Sequence, residues 1–318
     1  MCGPRVSIGL PIYNGESFLE LAMDSLLSQT YSDFELIISD NASSDRTAEI
    51  CAAYSARDPR IRYHRNATNI GVDRNFNRTF ELSKGEYFRW AAADDLCAPT
   101  LLERCVEVLD TRRNVVLCYP KSRYIDEQGG SLQDYEDHLH IELPRAHERF
   151  AKYLHNIEMC NAVFGLIRSS VLRQTKLYGV YADSDIVYLG ELALYGGFFE
   201  LPEVLFFRRI HPGIAVRKYP SAHERMVMSE PTLGQKLSFP HWKVLGGFLS
   251  AIHRAPLPWS ERLFCYSKMR IWLQRRGREL VADLKVAARY FLKRLLRRRR
   301  NNLPESDARP LSGVEQKG

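Results

Sequence analysis

The sequence has no C-x-x-C pair, and its seven cysteines are scattered and odd in number. That argues against a disulfide framework and for reduced thiols, as in the cytosol. No apolar run approaches the roughly 18 residues needed to span a bilayer. The start, Met-Cys-Gly-Pro-Arg-Val, shows no signal-peptide core and enters strand-like sequence almost at once. Neither export by that route nor integral membrane insertion is expected. Internal repeats are also absent, as is low-complexity sequence apart from one Arg run. What remains is an ordinary globular composition, 45% hydrophobic in 318 residues, enough for one large or two smaller domains.

Charge is unevenly placed. Between Glu261 and Arg300 stand fourteen Lys/Arg against three Asp/Glu, whereas the whole chain carries +7. The body is therefore mildly acidic, and the basicity is a C-terminal feature.

Short apolar runs bounded by turn formers predict strands over Arg5–Ile12, Phe34–Ser39, Ile61–His64 and Tyr87–Ala92. Helical spacing predicts helices over Glu16–Gln29, Thr47–Ser55, Val72–Leu82 and Leu101–Leu109. Such alternation implies right-handed crossovers and a mainly parallel sheet. Later, Val115–Tyr119 and Ser122–Ile125 read as two strands around a turn, Ala162–Ile167 as strand-like, and Phe198–Ile210 as strands. Beyond Ala215 the pattern is helical.

Three polar clusters fall at predicted strand C-termini: Tyr13 with Asn14, Asp40, and the pair Asp94–Asp95. Ligands of open α/β sheets sit at that edge. Adjacent carboxylates there suit a hard divalent cation sharing its ligands with a phosphate. On the residues alone, the acidic pair equally suits a turn capping the next helix, and Tyr13-Asn14 an ordinary turn. Asp183-Ser184-Asp185 opens another helix, and all three are good first-turn residues.

Taken in order, Val6-Ser-Ile-Gly-Leu-Pro-Ile-Tyr-Asn14, Gln29 to Thr47 with Ser39-Asp-Asn-Ala-Ser-Ser-Asp45 inside it, Asn69-Ile-Gly71, Gly85-Glu-Tyr-Phe88 and Ala93-Asp-Asp95 resemble the inverting family-two nucleotide-sugar glycosyltransferases. The resemblance spans roughly residues 5–213. It implies a GT-A fold over 1–215, an α/β nucleotide-binding unit with a mainly parallel sheet; the helical pattern and cations beyond it predict a helical basic region over 216–300, and the polar residues 301–318 a disordered tail. It further implies that Pro11, Tyr13, Asn14 and Asp40 hold base and ribose, that Asn69 and Arg74 line the same pocket, and that Asp94 meets the diphosphate. Asp94 and Asp95, joined by His211 of Arg209-Ile-His211, would hold Mg2+ or Mn2+. Asp185 falls at the position of the catalytic base. The family's metal motif usually has a carboxylate two residues before Asp94; here Ala92 stands there, as in members carrying only the adjacent pair.

The expected function is hexosyl transfer with inversion from a nucleotide-diphosphate sugar, UDP-linked first, to a hydroxyl acceptor in surface polysaccharide, lipid-linked glycan or cell-wall synthesis. The alternative is a catalytically silent GT-A-like protein that holds a nucleotide or glycan. Leu280, Leu284, Ala287, Phe291 and Leu295 make an apolar stripe with Lys/Arg on other faces. Residues 279–300 then suit an anionic membrane surface, which would place the protein at the inner face of the plasma membrane. The same stripe also suits packing on the catalytic domain. No nucleic-acid module accompanies the cations, and no nucleic-acid partner is expected.

Overall fold

The computed structural model describes residues 3–232 and 237–301, with the side chains of 215–216 and 293–301 outside the description. The Arg297–Arg300 side chains and the expected tail from residue 302 therefore lie outside the described residues. In chain order the elements are β1 (Val6–Ile12), α1 (Leu19–Leu27), β2 (Phe34–Asp40), α2 (Thr47–Arg57), β3 (Ile61–Arg65), α3 (Val72–Glu81), β4 (Tyr87–Trp90), β5 (Leu96–Cys97), α4 (Leu101–Thr111), β6 (Val115–Ile125), β7 (Ser131–Tyr135) and α5 (Ala146–Asn156). A 3-10 turn (Asn161–Phe164) follows, then β8 (Leu166–Arg168), α6 (Ser169–Leu172), α7 (Ser184–Tyr195), β9 (Gly197–Arg209), α8 (Ala215–Lys218), α9 (Ala222–Ser229), α10 (Pro240–Arg254) and α11 (Trp259–Asn301).

The described strands make one nine-stranded sheet in the order β3-β2-β1-β4-β8-β6-β9-β5, with β7 paired to β6. β1 and β2 are buried along their whole length, as continuous apolar runs covered on both faces must be. The sheet is mixed, which corrects the expectation of a mainly parallel one. β3-β2-β1-β4 is parallel, but β8 and β5 enter antiparallel and only β6·β9 restores the parallel direction.

Two segment readings also change. Val115–Ile125 is a single strand, because Pro120 falls where the register against β9 shifts and its missing N–H interrupts no ladder bond there. Ala162–Ile167 divides into the 3-10 turn and β8; a short apolar run does not distinguish these by periodicity.

Two apolar clusters sandwich the sheet, and alternation along β4 feeds both. Tyr87 and Ala91 join the cluster of α1, α2 and α4, whereas Phe88 and Trp90 face the cluster built with α5 and α7. The second cluster continues without a break into Phe248 of α10 and Trp272 of α11. The boundary expected at residue 215 therefore separates no independent core. Two polar contacts pin these helices. Arg254 of α10 makes a two-pronged pair with the buried Glu191 of α7, at 2.8 and 2.9 Å. The fully buried Asp283 of α11 holds His241 of α10 at 2.7 Å, with His223 of α9 3.5 Å away.

Removing one partner of a buried ion pair leaves the other charge uncompensated. Arg254→Ala should lower unfolding free energy by about 3 kcal/mol in urea denaturation, and Glu191→Gln placed in that background should recover part of the loss.

Candidate active site

The C-terminal ends of β1, β2 and β4 lie side by side in the sheet, so the loops after them converge. Loop 13–16 is stitched to loop 43–47. The Asn14 N–H donates to Ser43 Oγ at 2.9 Å, Asn14 Oδ1 accepts from the Ser44 N–H at 2.8 Å, and the Gly15 N–H donates to Thr47 Oγ1 at 3.0 Å. Asn14 adopts φ +51°, a left-handed conformation that Asn tolerates better than most residues. Tyr13 projects from this turn and is half exposed, while Pro11 is buried within β1.

Asp40 ends β2 and is fully buried. Its Oδ1 accepts from the Ser43 N–H at 2.9 Å and its Oδ2 from Tyr63 Oη at 2.8 Å, with Arg65 Nε at 3.4 Å. Asp40 is thus turned into its own loop, against Ser43, Tyr63 and Arg65. Asn69 is likewise tied inward, its Oδ1 accepting from Asn41 Nδ2 and the Gly71 N–H, both at 2.9 Å. Gly71 has φ +90°, and a Cβ there would stand 2.3 Å from the Ser229 carbonyl of α9, so α3 begins against α9 only because the residue is glycine. Arg74 donates to the Ile70 carbonyl and pairs with Glu230 at 3.6 Å, which turns it toward α9 instead of the strand ends.

The acidic pair is organised by β9. The Arg209 N–H donates to Asp95 Oδ1 at 2.9 Å, and its guanidinium donates to the carbonyls of Asp94, Asp126 and Glu127, each at 2.9 Å. That guanidinium also lies 4.7 Å over the Phe18 ring, just before α1. Asp94 Oδ2 sits 3.0 Å from His211 Nε2, and the imidazole packs at 5.0 Å against Phe18. Asp95 is buried, and burial together with the charge of Asp94 raises its carboxyl well above the ordinary value.

Asp185 lies in the first turn of α7, half-buried, its Oδ1 accepting from the Ile186 N–H at 2.9 Å. Burial, then the charge of Asp183, raises its carboxyl above the ordinary range. Its neighbours in the turn are committed elsewhere. Asp183 accepts from Nε and Nη2 of Arg225 at 2.9 to 3.1 Å, and Ser184 Oγ donates to Asp73 Oδ1 at 3.2 Å. Asp183 holds the N-cap position at φ +63° without a side-chain capping bond.

Arg208 was not singled out by sequence. Its positive charge lowers the carboxyls of Asp95 and Asp185 alike, and its guanidinium is held by Asn161 Oδ1. The one signal for it is position, directly before Arg209-Ile-His211 on the strand that serves the acidic pair. Two shallow hollows elsewhere, one beside Phe80 and Leu177 and one beside Arg5 and Glu86, contain none of these residues.

Among the described residues no group of three or more His, Cys, Asp or Glu could hold an ion unaided. Asp94 and His211 supply two converging donors, which fits Mg2+ or Mn2+ only where phosphate oxygens complete the shell. Asp95 backs this pair from a buried position against Arg209.

A parallel β3-β2-β1-β4 sheet, loops converging at its C-terminal edge and an acidic pair at the end of β4 are the arrangement of an α/β domain of the GT-A type. The model of glycosyl transferase family 2 matches residues 7–175, and the chain belongs to that family. It is 35% identical over 128 residues to the putative glycosyltransferase EpsE of Bacillus subtilis, covering 40% of this chain and 46% of that protein. It is 28% identical over 219 residues to the uncharacterized glycosyltransferase RP339 of Rickettsia prowazekii, covering 65% and 64%. The match thus spans less than two thirds of these relatives' own length. In fold it resembles S. aureus TarS 1-349 in complex with UDP-GlcNAc, at TM-score 0.64 and 14% identity over 88% of this chain and 79% of that one. It also resembles the mannosyltransferase PcManGT of Pyrobaculum calidifontis in complex with GDP-Man and Mn2+, at TM-score 0.51 and 14% identity over 91% and 81%.

Asp73, on α3, offers a readable pH effect. It is buried, its Oδ2 has no partner, and burial pushes its carboxyl up to about 7. An unfolded Asp titrates near 4, so between about pH 4 and 7 the native state keeps a proton that the unfolded chain releases. Stability therefore falls as pH rises through that window. Asp73→Asn should remove the fall, gaining about 1–3 kcal/mol relative to wild type at pH 8 compared with pH 4 in urea titrations.

Proposed function

We propose that the protein transfers a hexosyl group from a UDP-sugar to a hydroxyl acceptor with inversion at the anomeric carbon. The observation that carries this reading is Asp185. It is a half-buried carboxylate whose two neighbours in the turn are taken, and burial holds its carboxyl above the ordinary range. A single carboxylate of raised pKa suits a general base. Retention through a covalent glycosyl-enzyme would need a second, nucleophilic carboxylate close by, and Asp183 is held by Arg225. UDP is favoured over GDP because the UDP-GlcNAc complex is the better fold match of the two.

In this reading Tyr13 and Asn14 bind the base and ribose on the rigid platform of residues 41–47. Asp40 acts through that platform, and Asn69 and Arg74 bound its far side. Asp94 and His211 would hold a divalent cation with the donor diphosphate, where it would supply charge neutralisation at the leaving group. Asp95 and Arg209 fix the direction of Asp94. The acceptor oxygen attacks the anomeric carbon as its bond to the diphosphate oxygen breaks, and the hydroxyl proton passes to Asp185. The acceptor is a growing surface polysaccharide or lipid-linked glycan, which suits a protein held at the inner face of the plasma membrane.

Calorimetry with UDP and GDP, with and without Mn2+, tests the donor site. Mn2+-dependent UDP binding that Asp94→Ala abolishes is expected; no nucleotide binding under any condition would sink the reading. Asp185→Asn should retain UDP binding and lose transfer by about 10²–10⁴-fold. Because the base must be ionised, kcat/KM should fall as pH drops through a value above that of an ordinary carboxylate.

A further inference from the structure

We propose that the exposed face of the α10–α11 hairpin is a docking surface for an anionic lipid bilayer, on which the two helices lie flat. The surface begins twenty residues before the basic stretch recognised in the sequence, and it takes part of its area from α10.

At 3.6 residues per turn, Trp259, Leu263, Leu273, Val281, Leu284 and Phe291 fall within an arc of roughly 80° on α11. They are 67, 49, 43, 51, 50 and 53% exposed. The rest of the helix circumference accounts for itself. One side meets α5, where Arg275 donates to the Leu154 and His155 carbonyls and Glu261 pairs with His147. The next side meets α10 through the Phe248–Trp272 ring contact and the bond from Arg262 to the Ala255 carbonyl. Then comes the exposed stripe, and beyond it Arg278, Lys285 and Arg289, all exposed. Trp242 of α10 donates its indole N–H to the Leu280 carbonyl at 3.2 Å, so this 42% exposed ring borders the stripe beside Val281 and Leu284. Leu249, two turns further along α10 and 40% exposed, lies on the same side. The stripe is thus a two-helix face with tryptophan at its edges, a residue suited to the bilayer interface.

Charge selects the occupant. α10 contains no Asp or Glu, and the three acidic residues of α11 are all engaged: Glu261 with His147, Glu279 with Arg276 and His241, and Asp283 with His241. The apolar stripe is therefore flanked by cations with no free carboxylate beside it, and six of the eight residues from Lys293 to Arg300 are Lys or Arg. A second copy of this chain would bring Arg278, Lys285 and Arg289 against like charges. An anionic headgroup layer over hydrocarbon meets both the cations and the stripe. No described helix is long and apolar enough to cross a membrane, so the contact is in the plane of the interface.

The inference is independent of the transfer reaction, and its test does not use activity. The full chain is sedimented with phosphatidylcholine vesicles, with or without about 30 mol% phosphatidylglycerol. Partitioning is expected to rise about tenfold or more with the anionic lipid and to fall at high salt. Two triple variants, Trp259→Ser/Leu263→Ser/Leu284→Ser and Arg278→Glu/Lys285→Glu/Arg289→Glu, should each lose about tenfold in partitioning. Both alter exposed positions, and a circular dichroism spectrum and urea midpoint equal to those of the wild type would show that the fold is kept. Equal binding by wild type and variants, or no binding to either vesicle, would overturn the proposal. So would a concentration-dependent dimer in sedimentation equilibrium that the apolar variant abolishes, since the face would then belong to a second copy.

Discussion

The arrangement depends on how Arg209 is used. It is the last residue of β9 and almost wholly buried, yet its guanidinium spends its hydrogen bonds on the carbonyls of Asp94, Asp126 and Glu127. It therefore fixes the backbone of the acidic turn without forming an ion pair with either carboxylate side chain. Only its backbone N–H reaches Asp95. The acidic pair therefore keeps its carboxylates free of the guanidinium in a place where burial already disfavours charge. Phe18 stacks beneath both the guanidinium and His211, so the same turn that starts α1 also sets the imidazole beside Asp94.

The loops after β1, β2 and β3 are built on the opposite principle. Asp40, Asn41, Asn66, Asn69 and Asn75 form a nearly closed polar network: Asn41 joins Asn69 and Asn66, and Asn75 takes Ser39 Oγ while donating back to its carbonyl. Buried polar groups satisfied in this way make a rigid scaffold. The side chains left to a ligand, Tyr13 above all, stand on it and contribute little to holding it.

Much of this was legible in the sequence. The first four strands and the helices between them follow from continuous apolar runs and helical spacing, because parallel strands covered on both faces leave an unbroken hydrophobic signature. The strand-end clusters located the loops after β1, β2 and β4 for the same reason. What could not be read is whichever property depends on partners distant in sequence. Asp40 reads as a strand-end acid, and only the fold brings Tyr63 and Arg65 to it. Asp183 reads as a first-turn residue, and only α9 supplies Arg225. Arg208 and Arg209 are two adjacent cations in a strand, and alternation sends one to Asn161 beside the acids and the other under Phe18. The mixed half of the sheet was missed because two- and three-residue strands such as β5 and β8 carry no period of their own.

The continuous cluster from Trp90 through Tyr188 to Phe248 and Trp272 has a consequence for how such a chain is partitioned. The stretch recognised as family-two sequence stops at residue 175, before α7 and Asp185, and so cuts through a hydrophobic core. The unit that heredity recognises is smaller than the unit that folds. A graft made at the recognisable border would carry the strand-end loops away from the helix bearing Asp185 and expose the aromatic layer beneath it. In this protein the interchangeable module has to extend at least through the first turns of α11.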